Sequence, residues 1–249
     1  AVEDARRVAA VLDIPYYVMN FKQEFKDNVM DYFVNEYLQA RTPNPCIACN
    51  RYVKWESLLQ RSMGIGASFI APGHYARVIR LPNGRYTIRK SVTQDQTYAL
   101  YNLTQHQLAH TLMPVGEYEK DKIREIAREQ MLPVANKPDS QEICFVSDND
   151  YAGFIENYLK ENEEGIKNNQ LFSGKDGIPA GLTPGNFVNT AGEIIGRHKG
   201  LIHYTIGQRK GLNLAMGQPV FVLELRPETN EVVIGNAKEV FSDRLYANR

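Results

Sequence analysis

The stretch Ser68-Phe69-Ile70-Ala71-Pro72-Gly73-His74-Tyr75 decides the fold class, because it joins a short apolar segment to a proline and a glycine. Such a segment is typical of a parallel strand, and a glycine at the carboxyl end of that strand lets a nucleotide approach the backbone. A single glycine also suits an ordinary turn, and His74 either contacts phosphate or packs. The stretch favours a strand of an α/β domain, with an ordinary turn as the default interpretation of Gly73 and a nucleotide contact as the alternative.

The residues before this stretch alternate between helical and strand patterns. Apolar side chains recur at helical spacing in residues 1–12, 25–37 and 51–63, whereas residues 14–21 are aromatic and β-branched, which favours a strand. This order predicts a Rossmann-like parallel sheet covered by helices. Because the sequence opens inside a helical pattern, we expect this domain to be incomplete at its N-terminal end.

The remainder of the chain becomes richer in short strand patterns. A hairpin is predicted over residues 77–90, and helices are predicted over 104–113, 117–130 and 148–160. A segment rich in Gly, Asn and Pro covers residues 165–185. Strands are predicted beyond it, at 186–188, 193–196, 202–206, 219–225 and 231–234. We therefore predict an α/β domain over residues 1–147 and a smaller, mostly β domain over residues 148–249.

The composition excludes several classes of protein. The 249 residues hold 29 Lys+Arg and 29 Asp+Glu, so no overall basic charge indicates nucleic acid. No apolar run is long enough for a membrane span, nothing resembles a secretory signal, and three cysteines favour a reducing, cytoplasmic compartment.

The zero net charge hides an acid-free stretch from Arg197 to Leu223. There Arg209 and Lys210, with Tyr204 interleaved, suit contacts with an RNA backbone and a stacked base. A solvated hairpin face is the alternative.

The motif Thr42-Pro43-Asn44-Pro45-Cys46-Ile47-Ala48-Cys49 places two thiols on a stiff turn that leads into a helix. Amides at a helix start stabilise thiolate, which is the nucleophilic form. Half of a zinc site, a redox pair and a nucleophile with a neighbour remain open. A zinc site would need a second Cys-x-x-Cys, which the sequence does not contain. Buried structural cysteines do not suit such a turn, because turns of this kind lie at the surface. Cys144, between Ile143 and Phe145, suits a core position as well as a functional one.

Six ordered segments resemble those of the tRNA-specific 2-thiouridylases of the MnmA type. They are Thr42–Asn50, Gly73–Tyr75, Asp95–Tyr98, Pro114–Gly116, Asp139–Phe145 and Tyr204–Leu212. Any one of them is common, but the ordered set is specific. The resemblance implies a tRNA-uridine 2-sulfurtransferase that activates the C2 oxygen of uridine 34 with ATP and Mg²⁺ and replaces it with sulfur. It also implies that residues 148–249 form a tRNA-binding domain and the start of a C-terminal β-barrel.

The resemblance further implies roles for single residues. Cys49 would be the nucleophile, Cys144 would carry sulfur as a persulfide, and the two would form a disulfide as that sulfur leaves. Gly73 would contact ATP through its backbone. The residues implied to contact tRNA are Asn44, Pro45 and Cys46 at the target base, together with His74, Gln94, Asp95 and Gln96. The implied partners are tRNAs of the Lys, Glu and Gln type and a persulfide donor, either a cysteine desulfurase or a sulfur-relay protein.

The sequence departs from the family pattern in three ways. The Ser-Gly-Gly-x-Asp-Ser loop that grips the ATP pyrophosphate is absent, and so is most of the final β-barrel. Some members carry Asp where Cys46 stands and Lys where Gln94 stands. We therefore expect a fragment that is inactive by itself. Two alternatives stay open: a [4Fe–4S] enzyme in which Cys46, Cys49 and Cys144 bind three irons, and a noncatalytic RNA-binding remnant.

Overall fold

The computed structural model of the chain describes residues 2–138, 143–146, 150–162 and 180–244. The chain divides into two compact units, one made of Ala1–Met30 and Asn44–Ile143 and the other of Asp31–Pro43 and Cys144–Arg249. The first is rich in helices and the second contains a four-stranded sheet. The α/β class predicted from the sequence is therefore confirmed.

The helices follow the apolar periodicity of the sequence. In chain order they are α1 (Val2–Val11), α2 (Lys22–Phe25), α3 (Asp31–Leu38), α4 (Pro45–Ala48), α5 (Leu59–Gly64), α6 (Gln105–Ala109), α7 (Lys120–Glu129) and α8 (Tyr151–Glu161). Two π-helical segments, Lys26–Met30 and Cys49–Leu58, directly follow α2 and α4. In the part of the chain that the structure describes, every helix is too short or too polar to cross a lipid bilayer.

Local sequence explains where two of these helices begin. Asn44 caps α4, since its Oδ1 accepts a hydrogen bond from the Cys46 amide at 3.1 Å, and Pro45 fits the first helical position. Thr104 caps α6 in a reciprocal arrangement with Gln107, whose amide donates to the threonine hydroxyl at 3.3 Å. The helix predicted from residue 104 is confirmed at its start but ends at Ala109, four residues earlier than expected.

The first unit keeps less of the predicted sheet than expected. Strands β1 (Ala76–Arg80) and β2 (Tyr86–Lys90) form the predicted hairpin, but the strand expected at 68–71 is reduced to one parallel bridge between Ile70 and Thr111. The strand prediction at 14–21 is wrong, because these residues pair with no described segment. Aromatic and β-branched residues favour a strand only where a neighbour supplies the hydrogen bonds.

Trp55 lies at the centre of the first unit's core. Its side chain is 1% exposed and packs in a cluster with Ala76, Leu100 and Met113. Its Nε1–H donates to Thr111 Oγ1 at 2.8 Å, and that hydroxyl donates to the Gln107 carbonyl at 2.7 Å. The network ties the helix that follows Cys49 to the end of the parallel bridge.

The second unit is built on a mixed sheet. Its strands are β3 (Gly185–Val188), β4 (Ile194–His198), β5 (Phe221–Arg226) and β6 (Glu231–Gly235), in the spatial order β4-β3-β6-β5. Strands β3 and β6 are parallel, and the other two pairs are antiparallel. Four of the five predicted strands are thus confirmed.

The strand predicted at 202–206 is wrong. Residues Leu201–His203 form a 3₁₀ turn instead. Leu201, Ile202 and Tyr204 are all buried. The short apolar run that resembles a strand in the sequence is thus buried as part of a turn, and periodicity alone does not separate these two cases.

Candidate functional site

Cys46 and Cys49 lie on the turn and helix that the proline-rich motif builds. Cys46 is exposed and Cys49 is partly exposed, so neither is a buried structural cysteine. Cys49 is the first residue of the π-helical segment Cys49–Leu58, and π-helical turns occur frequently at functional sites. Just beyond it, the buried Asn50 donates to the Ala99 carbonyl at 2.9 Å. This bond and the burial of Trp55 anchor the segment while leaving Cys49 accessible.

Cys144 is exposed, whereas the next residue is held by aromatic packing in the second unit. The Phe145 ring meets Phe33 at a centroid distance of 5.3 Å and Phe154 at 5.2 Å, with edge or tilted geometry. Such pairs stabilise by about 0.5–1.5 kcal/mol each beyond their burial. Phe145 therefore takes the core position that the sequence left open for Cys144, and the thiol stays at the surface.

Gly73 has a backbone conformation that any residue can adopt. A Cβ placed on it meets no atom within 4 Å, and its φ lies outside the left-handed region. By contrast, a Cβ on Gly116 would lie 1.9 Å from the Ala76 carbonyl oxygen. Neither strain nor crowding within the described chain requires glycine at position 73, and the space around its Cα is open.

Gln96 joins two of the predicted site segments. Its amide N–H donates to the Tyr75 carbonyl at 2.9 Å, and its side-chain Oε1 accepts from the Tyr75 amide at 2.9 Å. Asp95 accepts hydrogen bonds from the Thr97 amide and hydroxyl, so its carboxylate caps the following turn. Gln94 is exposed, with a φ of 52°. Of these three predicted RNA contacts, Gln94 is the most accessible.

His74 is half-buried and neutral at physiological pH. Its ring lies 5.5 Å from the Trp55 ring, and its Nδ1 is buried without a hydrogen-bond partner among the described residues. Burial lowers the pKa of His74 to about 4, and the nearby positive charge of Lys54 adds to this. A contact between His74 and RNA would therefore use a neutral imidazole rather than a cation.

Gly73, Gln94 and Gln96 line one cavity of about 690 Å³ in the first unit, so the structure brings these predicted residues together. The same cavity is lined by Lys120, Arg124 and Lys137, which the sequence analysis missed. The sequence feature that could have identified two of them is the spacing of Lys120 and Arg124, because residues four apart on one predicted helix lie on the same face.

The acid-free stretch contains a hydrogen-bonded loop in the second unit. Arg209 and Lys210 are exposed, as the sequence predicts. The Gln208 side chain fastens the loop, because its Oε1 accepts from the Thr205 amide at 2.9 Å and its Nε2 donates to the Lys210 carbonyl at 3.0 Å. The two cations therefore lie on a turn that is closed by side-chain hydrogen bonds.

Two aromatic residues of this stretch belong to the core. Tyr204 is 5% exposed and its ring packs edge-on against Phe187 at 5.1 Å, so the expected stacking of Tyr204 on a base is wrong. His198 is buried. Its Nδ1 accepts from the Gly200 amide at 3.1 Å, and its Nε2–H donates to the Asn230 carbonyl at 3.1 Å. Burial is the main cause that lowers the pKa of His198, which stays neutral and adds no positive charge.

The described residues offer no metal centre. Within the parts of the chain that the structure describes, no three His, Cys, Asp or Glu side chains are grouped so that they could hold a metal ion. Cys46 and Cys49 belong to the first unit and Cys144 to the second, so a [4Fe–4S] cluster bound by these three thiolates stays a prediction.

Two models of known protein families match this chain. Residues 1–148 match the family model described as the tRNA methyl transferase HUP domain, and residues 178–236 match the tRNA methyl transferase PRC-barrel domain. The HUP match confirms the Rossmann-like class of the first part of the chain.

Curated relatives match along the whole chain. A tRNA-specific 2-thiouridylase MnmA of Lachnoclostridium phytofermentans is 65% identical over 100% of this chain and 65% of its own length. Those of Clostridium perfringens and Clostridium kluyveri are 53% and 51% identical, over 98% and 99% of this chain. The chain spans 63–65% of the length of these three relatives.

Proposed function

Because the chain belongs to the family of tRNA-specific 2-thiouridylases, we propose that it takes part in replacing the C2 oxygen of uridine 34 in tRNA anticodons with sulfur. The reaction class is that of a tRNA-uridine 2-sulfurtransferase. The observation that carries the proposal is the presence of two accessible thiols, Cys49 at the start of a π-helical segment and Cys144 beside an anchored phenylalanine.

We propose that Cys144 carries the transferable sulfur and that Cys49 releases this sulfur by forming a disulfide with Cys144. A persulfide on Cys144 holds the transferable sulfur as its outer atom. The Cys49 thiolate attacks the inner sulfur, the S–S bond of the persulfide breaks, and the outer sulfur leaves as sulfide with the electron pair of that bond. The new bond is a disulfide between Cys49 and Cys144. The exposure of Cys144 supports its loading by a persulfide donor from solution, either a cysteine desulfurase or a sulfur-relay protein.

ATP, when bound, supplies the adenylyl group that converts a poor oxygen leaving group into a good one. Gly73 fits a backbone contact with this nucleotide, because open space surrounds its Cα and no local strain requires glycine there. Mg²⁺ would offset phosphate charge, and we assign no residue to it. We follow the persulfide route and derive no step through a [4Fe–4S] cluster.

We assign the tRNA to surfaces on both parts of the chain. Residues 1–147 serve as the nucleotide-binding catalytic domain and residues 148–249 as the tRNA-binding domain with the start of a barrel. Cys46 is exposed and Asn44 partly exposed, three and five residues before Cys49, so both suit contacts with the target base, which must leave its stack to reach a thiol. Pro45 is buried and suits such a contact less well. The exposed Gln94 and the exposed Arg209 and Lys210 suit contacts along the RNA. The thiols need a reducing compartment such as the cytoplasm.

The test is formation of 2-thiouridine in tRNA of the Lys, Glu and Gln type, measured by nucleoside mass spectrometry with ATP and a persulfide donor. Because the chain by itself is expected to be inactive, it is assayed after the N-terminal loop and the C-terminal segment of a 2-thiouridylase have been joined to it. Cys49→Ser and Cys144→Ser should each abolish the product without changing the melting temperature. Full activity in either variant removes that residue from the mechanism. Cys46→Ser distinguishes the persulfide route from the [4Fe–4S] route. The variant should retain some activity if sulfur passes through a persulfide on Cys144, and it should have none if Cys46 is one of three thiolates that bind iron. Methylated rather than thiolated uridine would contradict the proposed reaction.

A further inference from the structure

The proposed reaction turns two thiols into a disulfide each time it releases a sulfur atom. This disulfide joins Cys49 to Cys144, so neither residue can react again until the bond has been reduced or exchanged. Cys46 is the third thiol of the chain, and it is exposed. The persulfide route assigns no step to Cys46, although it lies three residues from Cys49.

Cys46 and Cys49 lie one turn apart on a continuous helical segment. The Cys49 amide donates to the carbonyls of Cys46 and Pro45, so the backbone between the two cysteines is helical. Residues three positions apart on such a turn lie on the same face, with Cα atoms about 5 Å apart. A disulfide needs a Cα separation of about 4.4–6.8 Å, so this pair lies within bonding range.

The two thiols of this turn differ in access. Cys46 is exposed, whereas Cys49 is only partly exposed. The residues on either side of Cys49 are buried, since Ala48 is 7% and Asn50 1% exposed. The rate of thiol–disulfide exchange depends on access to the sulfur that is attacked. A reductant from solution therefore reaches a sulfur at position 46 more readily than a sulfur at position 49.

We propose that Cys46 opens the Cys49–Cys144 disulfide and transfers it to the surface of the protein. The inference rests on the proposed function, because that reaction forms the bond that Cys46 attacks. The Cys46 thiol loses its proton to solvent, and the thiolate attacks the Cys49 sulfur. The bond between Cys49 and Cys144 breaks, and its electron pair leaves with Cys144 as a thiolate. The new disulfide joins Cys46 to Cys49, and the exchange involves no net oxidation or reduction.

A second step needs a reductant, which by chemical class is a dithiol. One dithiol sulfur attacks the exposed Cys46 sulfur, and Cys49 leaves as a thiolate. The other dithiol sulfur then attacks the mixed disulfide and releases Cys46. The dithiol is thereby oxidised to a disulfide, and Cys46 and Cys49 are both reduced. The Cys144 thiol is restored in the first step, before the reductant acts.

The test maps disulfides after a single loading with sulfur. The protein, completed as for the thiouridine assay, receives one equivalent of persulfide donor with tRNA and ATP and without reductant. Thiols are then blocked, and unreduced peptides are analysed by mass spectrometry. We expect a Cys46–Cys49 disulfide and a Cys144 thiol in the wild type, but a Cys49–Cys144 disulfide in Cys46→Ser. A wild-type protein that keeps the Cys49–Cys144 disulfide would overturn the role of Cys46 alone.

Two further outcomes separate this inference from the reaction on which it rests. If Cys46→Ser forms no Cys49–Cys144 disulfide, the persulfide route itself is wrong, and the role of Cys46 fails with it. The variant Cys144→Ser is the control for geometry, because only Cys46 and Cys49 remain. Oxidised glutathione should join these two residues without changing the melting temperature, and failure to form that bond would also overturn the proposal.

Repeated turnover distinguishes an exchanging thiol from a structural one. At a limiting dithiol concentration, Cys46→Ser should form 2-thiouridine at least about tenfold more slowly than the wild type after the first turnover, because the dithiol must attack a less accessible sulfur. A higher dithiol concentration should restore the rate of the variant. Equal rates at limiting dithiol, or a loss that added dithiol does not restore, would contradict the exchange.

Discussion

Substitution of Gly73 by alanine separates a structural glycine from a ligand-contacting one. The added methyl group meets no atom within 4 Å and needs no unusual backbone angle. The protein itself should therefore tolerate it. Because alanine restricts the unfolded chain, the free energy of unfolding should stay constant or rise by about 0.4–1 kcal/mol.

A bound nucleotide meets the same methyl group differently. If ATP approaches the Gly73 backbone closely, the extra carbon occupies that space, and overpacking costs about 1–3 kcal/mol. This corresponds to a weakening of ATP binding by roughly 5- to 150-fold. Equilibrium dialysis with labelled ATP measures the affinity, and urea denaturation of the same samples measures the stability.

Two other glycines serve as controls for Gly73→Ala. Gly64→Ala adds a methyl group that also meets nothing within 4 Å, at the end of α5, and should leave ATP affinity unchanged. Gly116→Ala would bring a Cβ within 1.9 Å of the Ala76 carbonyl oxygen, and should destabilise the protein by more than about 1 kcal/mol. Wild-type ATP affinity in Gly73→Ala, at unchanged stability, would refute the assignment of Gly73.

Two further predictions concern charge. The pKa values of His74 and His198 are lowered on folding, so the unfolded chain takes up protons first as the pH falls below about 6.5. The free energy of unfolding should therefore decrease from pH 7 to pH 5, by about 1–2 kcal/mol for the partly exposed His74 alone, and His74→Phe should reduce the slope in urea titrations. A stability that rises as the pH falls would contradict this sign. Arg209→Ala with Lys210→Ala should weaken tRNA binding and lower its salt slope by roughly 1–2, whereas Arg226→Ala with Lys238→Ala, outside the acid-free stretch, should not. Identical salt slopes in the two pairs would reduce the Arg209–Lys210 loop to an ordinary surface.

Features that depend on neighbouring residues in the chain could be predicted from the sequence. Thr104 and Asn44 cap helices through residues two or three positions away, so the motif alone indicates the cap. The β1–β2 hairpin likewise depends on the turn between its strands. The strand at 14–21 failed because its pairing depends on a neighbouring strand, which local propensity does not report.

Three features of the candidate site could be found only from the folded structure. The surface position of Cys144 depends on Phe145 entering a cluster with Phe33, more than a hundred residues earlier in the chain. Tyr204 resembles a stacking residue in the sequence, but core packing with Phe187 occupies its ring. Lys120 and Arg124 could be associated with Gln96 only once the structure showed that all three line one cavity.

The double hydrogen bond between Gln96 and Tyr75 has a consequence for the energetics of recognition. Gln96 bonds to the Tyr75 backbone as a neighbouring strand would, so the 73–75 loop and the 94–96 segment are held together. The conformational entropy of the two segments is then lost once, during folding, and is not lost again each time a ligand binds to both of them. A site held in this way gains affinity because less order has to be created when a ligand binds.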